Sequence, residues 1–578
     1  MRYSYFIIGI CFGFFLTIAG CGEKEVKLDT IVVRIADDPD RLNPVIARSS
    51  IALQITNKLF QPLAEFDPET LLLRPVLMDS LPEAIQIDTG QYAGFYGVPV
   101  RIRDEAAWRN GSPITVSDIE FTFKCILLCE WYESGVPGLF NNVVAIERTD
   151  NEKQFNIIVK DNSIFSIYSQ LLLPIMPEYF YDKNDMTLSM SFNEALNEGS
   201  PKWLESEPSL KTFVERFNSM PYSRHEVNGS GPYRFRSWSG GQLLTIDLKK
   251  NYWGDATGIG YLSSQMSPSV LAYRIIPDEQ SAIESLKEGS VDIVGDFSPD
   301  QFARLQKEED ETIALYSPDV LQYYFIGINH KHEVLEDRAI RQALAYLLPI
   351  DDIIAELFNN LASPLAGPVH PAKPYYNEDQ TPYPYDPEKA LEILTDAGWA
   401  DSDENGILDK TLENGEQIEL SLEITTSQRP LGQSLSLILQ DEAKAIGVDI
   451  SIDVVDNPTL LQKVTERTFH LANLASRFNP GYDEVYSGWH SNSIDNGNNI
   501  IGFSHPEVDS LVELIHSNNV SQEELFDWYR EFQAILHEEV PVLFICAPNE
   551  RVAAKASISL PTTAIKPGYL EHLARGKK

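Results

Sequence analysis

The chain has 578 residues, 43% of them hydrophobic, which suffices to bury a large core and is too apolar for a disordered chain. Its 46 Lys and Arg stand against 85 Asp and Glu, a net charge of -39. A field of that sign repels nucleic acid and anionic membrane surfaces, so nucleic-acid binding is excluded from the reading.

The first residues differ from the rest. Arg2 precedes an apolar run from Tyr5 to Ala19, too short to span a bilayer and suited to the core of a secretory signal. The run ends in Ile18-Ala19-Gly20-Cys21, which resembles the lipobox of bacterial lipoproteins, where small residues admit the signal peptidase and the thiol is acylated. The resemblance implies a signal peptide over 1–20, a lipidated Cys21 and a polar tether over 21–30. It also implies a chain exported and anchored in the cell envelope, at the periplasmic face or the cell surface. Of the other cysteines, Cys11 lies in the signal, and Cys125, Cys129 and Cys546 are too few for a disulfide framework. Cys125 and Cys129 sit four apart among apolar neighbours in "KCILLCEW", the setting of buried free thiols.

Further along, "TIVVRIA" reads as a strand. "VPVRIRD" alternates Val98, Val100 and Ile102 with Arg101 and Arg103, the period of a half-buried strand. Asn110-Gly111 turns the chain, and Thr115 with Asp118 forms a capping box ahead of Ile119, Phe123, Ile126 and Leu127 at helical spacing. The irregular region 182–228 holds one short helix, at Leu210 to Phe217. "SAIESLKEG" predicts a helix, and "VDIVG" and "LQYYFIGIN" predict strands. "DRAIRQALAYLL" is a helix that Asp337 starts. The proline-rich stretch Ala366 to Pro387 reads as an extended loop over the surface. Later, a helix ending at Gly447 feeds the strand "VDISIDVVD". The texture is α/β with mixed sheets.

Enzyme signatures are missing: the chain has no G-x-S-x-G, no G-x-x-x-x-G-K-[ST] and no H-E-x-x-H. The "HKHE" cluster at His330 reads as solvated surface rather than a zinc site. "DSDENGILD" spaces Asp401, Asp403, Asn405 and Asp409 like the oxygen ligands of a calcium loop, but its twelfth position is Leu412 instead of a bidentate Glu, so a hydrogen-bonded turn is the preferred reading. No cofactor is expected.

Several motifs together resemble the bacterial extracellular solute-binding proteins of family 5. "WRNGSPITVSDIEFTF", "DRLNPVIARSSIALQITNKLFQPLAEFD", "GSGPYRF", "LKKNYWGD", "YDPEKALEILTDAGW" and "GNNIIGFSHPEVDSLV" follow that family's order, within a match spanning about residues 31 to 555. The resemblance implies the type II periplasmic-binding-protein fold, two lobes around a cleft with an extra small domain, and no catalysis. Residues 27–62, 166–322 and 541–578 would form the first lobe, 63–165 the small domain and 323–540 the second lobe. Chain crossings between lobes are expected near "QYYFIGIN" and "PVLFICAPN". The implied role is the substrate-binding lipoprotein of an ABC importer, a monomer that takes a peptide or similar solute to a permease. A sensing module for a membrane signalling partner is one alternative, and a secreted hydrolase is the other, less favoured one.

The segment Phe469 to Asn492 matches the region where peptide binders of the family place an acidic residue for the ligand's ammonium. Asn479 stands at that position, flanked by Arg477 and Asp483, and an Asn cannot make the charge-assisted bond that a free amino terminus wants. Asp483 could compensate if the loop is shifted by a turn, and Arg477 could instead meet a carboxylate or phosphate. Tyr482 and Trp489 are expected as aromatic walls and Tyr323 as an edge of the cleft.

Overall fold

A computed structural model describes residues 26–133, 140–198, 207–264, 268–412, 415–516 and 520–577. Cys21 and the signal segment lie outside the described residues. Among them, no helix is long and apolar enough to cross a membrane.

The strand Thr30–Ile35 forms because its alternate residues Ile31 and Val33 are wholly buried. It pairs in parallel with Val270–Ile275 on one side and with Ile293–Gly295 on the other, at the centre of a seven-stranded sheet. That sheet runs Ile313–Tyr316, Val552–Lys555, Ile293–Gly295, Thr30–Ile35, Val270–Ile275, Leu243–Leu248, Tyr233–Ser239.

A separate four-stranded sheet lies within residues 85–159. Its strand Tyr96–Arg101 turns Val98 and Val100 inward, and Ile102 just beyond it is likewise buried. The turn after it uses Gly111 at φ 84°, a left-handed backbone that glycine adopts without penalty, and the Asn110 side chain accepts from Ser112 N–H at 3.0 Å. The Thr115 N–H donates to Asp118 at 3.0 Å, and the helix Val116–Glu133 begins there. Buried residues of this unit and of the seven-stranded sheet form one continuous core, so the small sheet is packed onto the first lobe.

The second lobe is built on a six-stranded sheet, in the order Ala362–Pro364, Val542–Pro548, Gln322–Ile328, Leu471–Arg477, Ser421–Ser427, Asp449–Val455. The strands Ser421–Ser427 and Asp449–Val455 run parallel, and parallel neighbours need a crossover, which the helix Pro430–Ala445 supplies. Gly447 ends that crossover at φ 83°. Leu422, Ile424, Leu435 and Leu439 are buried between helix and sheet, each burial worth roughly 1.5–3 kcal/mol.

Two features correct the sequence reading. A boundary at 541 would give Val542–Pro548 to the first lobe, but this strand pairs with Gln322–Ile328 and Ala362–Pro364 in the second. The chain therefore passes between sheets at 317–321 and at 549–551, just outside the strands where the crossings were expected. The two crossings lie side by side, with Asn549 Nδ2 donating to Ser317 O at 3.0 Å and to Asp319 Oδ1 at 2.9 Å. Secondly, the stretch 366–387 is irregular and its part from 376 runs over the surface as expected, but its first part does not: Val369, His370, Lys373 and Tyr375 are all buried.

Candidate functional site

A pocket of about 310 Å³ opens on the second lobe where the strands Gln322–Ile328, Leu471–Arg477 and Val542–Pro548 meet the segment 478–489. Phe325, Val542, Phe544, Ile501 and Trp489 line it with apolar surface, and Arg477, Asn479 and Glu484 bring polar groups. The strand period of two explains part of this lining: Tyr323 and Phe325 share one face, ring centroids 5.3 Å apart, and Tyr323 stacks on Phe478 at 4.5 Å. Tyr324 points to the opposite face, against Phe358. Burial raises the Tyr323 pKa, so the phenol is a neutral hydrogen-bonding group at any physiological pH.

The sequence candidates divide in this geometry. Tyr323, Arg477, Asn479, Asp483 and Trp489 all line the pocket. Tyr482 does not. Its ring stacks on Tyr168 from the helix Ile164–Leu171, centroids 6.5 Å apart at 25°, and on Tyr529 at 6.4 Å. Arg477 and Asn479 are exposed, whereas Asp483 is buried, 7% exposed.

Asp483 is held from inside the protein. Its carboxylate lies 3.5 Å from Lys373 Nζ and 3.0 Å from the Tyr375 hydroxyl, and its carbonyl accepts from the Tyr529 hydroxyl at 2.6 Å. Lys373 Nζ also donates to the carbonyls of Asn479 and Gly481. The pocket loop is thus wrapped around one buried ammonium. Burial pushes the Asp483 carboxyl up and the Lys373 amine down, and their mutual attraction opposes both shifts. Sequence reasoning missed Lys373 because proline-rich surroundings read as surface. The signal that could have found it is a lone Lys between apolar and aromatic residues in "VHPAKPYY".

Contacts between the lobes flank this loop. Gly481 sits at φ 79°, and a Cβ there would fall 2.4 Å from the Phe66 ring, so any other residue would strain the backbone and displace that ring. Phe165 stacks on His516 at 6.0 Å. Leu71, at the tip of the hairpin joining Ala64–Phe66 to Leu73–Pro75, is 1% exposed and packs among Leu321, Leu365, Phe478 and Ala547.

Two further arginines gather around Tyr324, whose ring faces away from the pocket. Arg429, at the start of the helix Pro430–Ala445, and Arg551, on the second crossing, both act electrostatically on the Tyr324 phenol. Arg551 is committed to carbonyls, donating to Phe297 O at 2.5 Å. Arg429 is exposed and was not among the sequence candidates. An Arg directly before a Pro that opens a helix, after a strand, is the pattern that could have singled it out.

The acidic turn at Asp401 is away from the pocket. Carboxylate oxygens of Asp401, Asp403 and Asp409 come within 4.8 Å of one another, the spacing a cation would need. They are nonetheless engaged by their own loop: Asp401 accepts from the N–H of Asn405 and Gly406, Asp403 accepts from that of Asn405, and Asp409 takes Ser402 N–H at 2.8 Å. Asn405 turns its amide to Glu419 at 2.8 Å. This is the pattern of a hydrogen-bonded turn.

Comparison with known proteins agrees with this architecture. The oligopeptide-binding protein AppA of Bacillus subtilis is 22% identical over 538 residues, covering 92% of this chain and 88% of AppA. The structure of AppA in complex with a nonapeptide superposes with a TM-score of 0.58 at 20% identity, covering 93% of this chain and 96% of AppA. NikZ from Campylobacter jejuni, in complex with Ni(L-His), superposes with a TM-score of 0.58 at 19% identity, covering 92% and 95% of the two chains. Residues 98–507 match the family described as bacterial extracellular solute-binding proteins, family 5 Middle, and with more than half its length so matched the chain belongs to that family, with the two-lobed α/β fold of type II periplasmic binding proteins.

Proposed function

We propose that this chain is the substrate-binding lipoprotein of an ABC importer, anchored through Cys21, which captures an extended peptide-like solute between its lobes and delivers it to a permease. The observation that carries this reading is the pocket itself. Its apolar aromatic floor and exposed polar rim lie beside the two chain crossings, where lobe closure would cover a guest. Such a site needs no reacting group. A solute that touches both lobes stabilises the closed arrangement by its differential affinity alone.

Within the site, Trp489 and Phe544 would pack on ligand side chains, Asn479 would hydrogen-bond ligand backbone, and Arg477 would meet an anionic group. AppA, an oligopeptide-binding relative, supports a peptide as the solute class.

Gel filtration of the purified mature chain with a synthetic tripeptide pool, followed by mass spectrometry of the retained peptides, tests this. The wild type is expected to retain peptides, and Arg477→Ala with Trp489→Ala to lose about tenfold or more in retention, the equivalent of one charge-assisted contact. Equal retention by the variant would remove the pocket from the account. In cells, deletion of the permease should abolish peptide uptake, and persistent uptake would contradict the transport role.

A further inference from the structure

We propose that Lys373 sets the ligand charge this pocket accepts: by neutralising Asp483 from inside the protein, it leaves Arg477 as the one charged group of the lining without a hydrogen-bonding partner among the described residues, so the pocket selects anionic solutes whose amino end carries no positive charge. The inference rests on the reading of this pocket as a solute site.

Three charged side chains line the pocket, Arg477, Asp483 and Glu484. Asp483 would be the natural partner for a ligand ammonium, but Lys373 already occupies that role. The Lys373 side chain is fully buried, 0% exposed, and bonds to two carbonyls of the very loop that carries Asp483. Glu484 keeps its charge, but its oxygens already accept the N–H groups of Tyr486 and Ser487 at 2.9–3.2 Å at the start of the short helix Tyr486–Trp489, which leaves it less free to meet a ligand.

Arg477 is the exception. Its side chain is exposed and makes no hydrogen bond or ion pair with any of the described residues. An arginine left free in a chain of net charge -39, which has carboxylates to spare, offers a two-pronged donor to an incoming carboxylate. An incoming ammonium would instead have to shed water beside Arg477 and compete with the Tyr486 and Ser487 N–H groups for Glu484, and burying a charge with an incomplete partner is costly. The pocket therefore favours a solute such as an N-acylated peptide over its free-amine counterpart.

The test uses the mature chain with two probes, a synthetic tripeptide pool and the same pool N-acetylated, retained peptides being counted by mass spectrometry after gel filtration. The wild type is expected to retain the acetylated pool at least about threefold over the free one. Arg477→Gln should cut retention of the acetylated pool about tenfold. Lys373→Met, which unmasks Asp483, should raise retention of the free pool about tenfold relative to the acetylated one. Should Lys373→Met fail to fold, the wild-type preference and Arg477→Gln decide the matter alone. Preference of the wild type for the free pool, or an Arg477→Gln variant indistinguishable from wild type, would overturn the inference while leaving solute binding intact. Retention of neither pool by the wild type would overturn the proposed function and the inference with it.

Discussion

Tyr168 and Tyr482 stack with their ring centroids 6.5 Å apart, joining a helix on the first-lobe side of the molecule to the loop that edges the pocket in the second. This pair ties the loop to the opposite lobe, so it couples pocket geometry to lobe arrangement. A double-mutant cycle of Tyr168→Ala and Tyr482→Ala, read by urea unfolding, is expected to give an interaction energy of about 0.5–1.5 kcal/mol. Strict additivity of the two single changes would show that the rings do not communicate.

The Lys373–Asp483 pair predicts a second asymmetry. Removing one partner leaves a buried charge uncompensated, so Lys373→Met should lower stability by about 3–5 kcal/mol. Adding Asp483→Leu should restore most of the loss, since two apolar groups replace the pair. Urea denaturation of the three variants checks this, and a double variant as unstable as the sum of its parts would contradict it.

Histidines shielded from water, His370 fully and His330 and His572 in large part, set the acid response. Burial holds the pKa of His330 down at about 3 and those of His370 and His572 at about 4, against about 6.5 in an unfolded chain. Each folded value is depressed, so the unfolded chain binds more protons below pH 6.5. The stability these groups contribute is complete above about pH 6.5 and drains away as pH falls towards 4, at up to about 1.4 kcal/mol per pH unit for each group. His330, expected on a solvated surface, is instead shielded from water: its Nε2–H donates to Pro541 O at 3.0 Å and its ring packs edge-on to Phe503. Replacement with Gln should make the fall in urea midpoint between pH 6.5 and 4.5 shallower than in wild type; an unchanged slope would show that His330 takes no part.

Thiol chemistry gives a fourth outcome. Cys125, Cys129 and Cys546 are buried thiols outside any disulfide, and burial raises the pKa of Cys125 well above its ordinary value and that of Cys546 to about 12. A thiol-reactive dye should label none of the three in the native protein and all of them in urea, because the thiolate is the reactive form. Rapid labelling under native conditions would contradict this burial.

Local signals carried much of the fold. Val98, Val100 and Ile102 are buried as their alternation requires, Asp337 accepts from Ala339 N–H at 2.9 Å as a helix cap should, and Gly447 ends its helix in a left-handed turn. Each of these is decided by residues a few positions apart. Lys373 was illegible for the opposite reason. What buries it is Asp483, Tyr529 and the carbonyls of the 479–481 loop, more than a hundred residues away, and no local pattern announces them. Tyr482 fell between the two cases: its place in the loop was readable, but the ring's turn away from the pocket towards Tyr168 depends on how the lobes meet. The strand Val542–Pro548 was recognised as extended, while its membership of the second sheet is a matter of pairing with Gln322–Ile328, which lies over two hundred residues upstream.

The central claim is that the two lobes trap one solute and leave it unaltered. Native mass spectrometry of the mature chain after incubation with the two tripeptide pools tests it most directly. The account predicts a complex of one chain with one peptide of unchanged mass; detection of the bare chain alone, or of peptide fragments released over time, would contradict it.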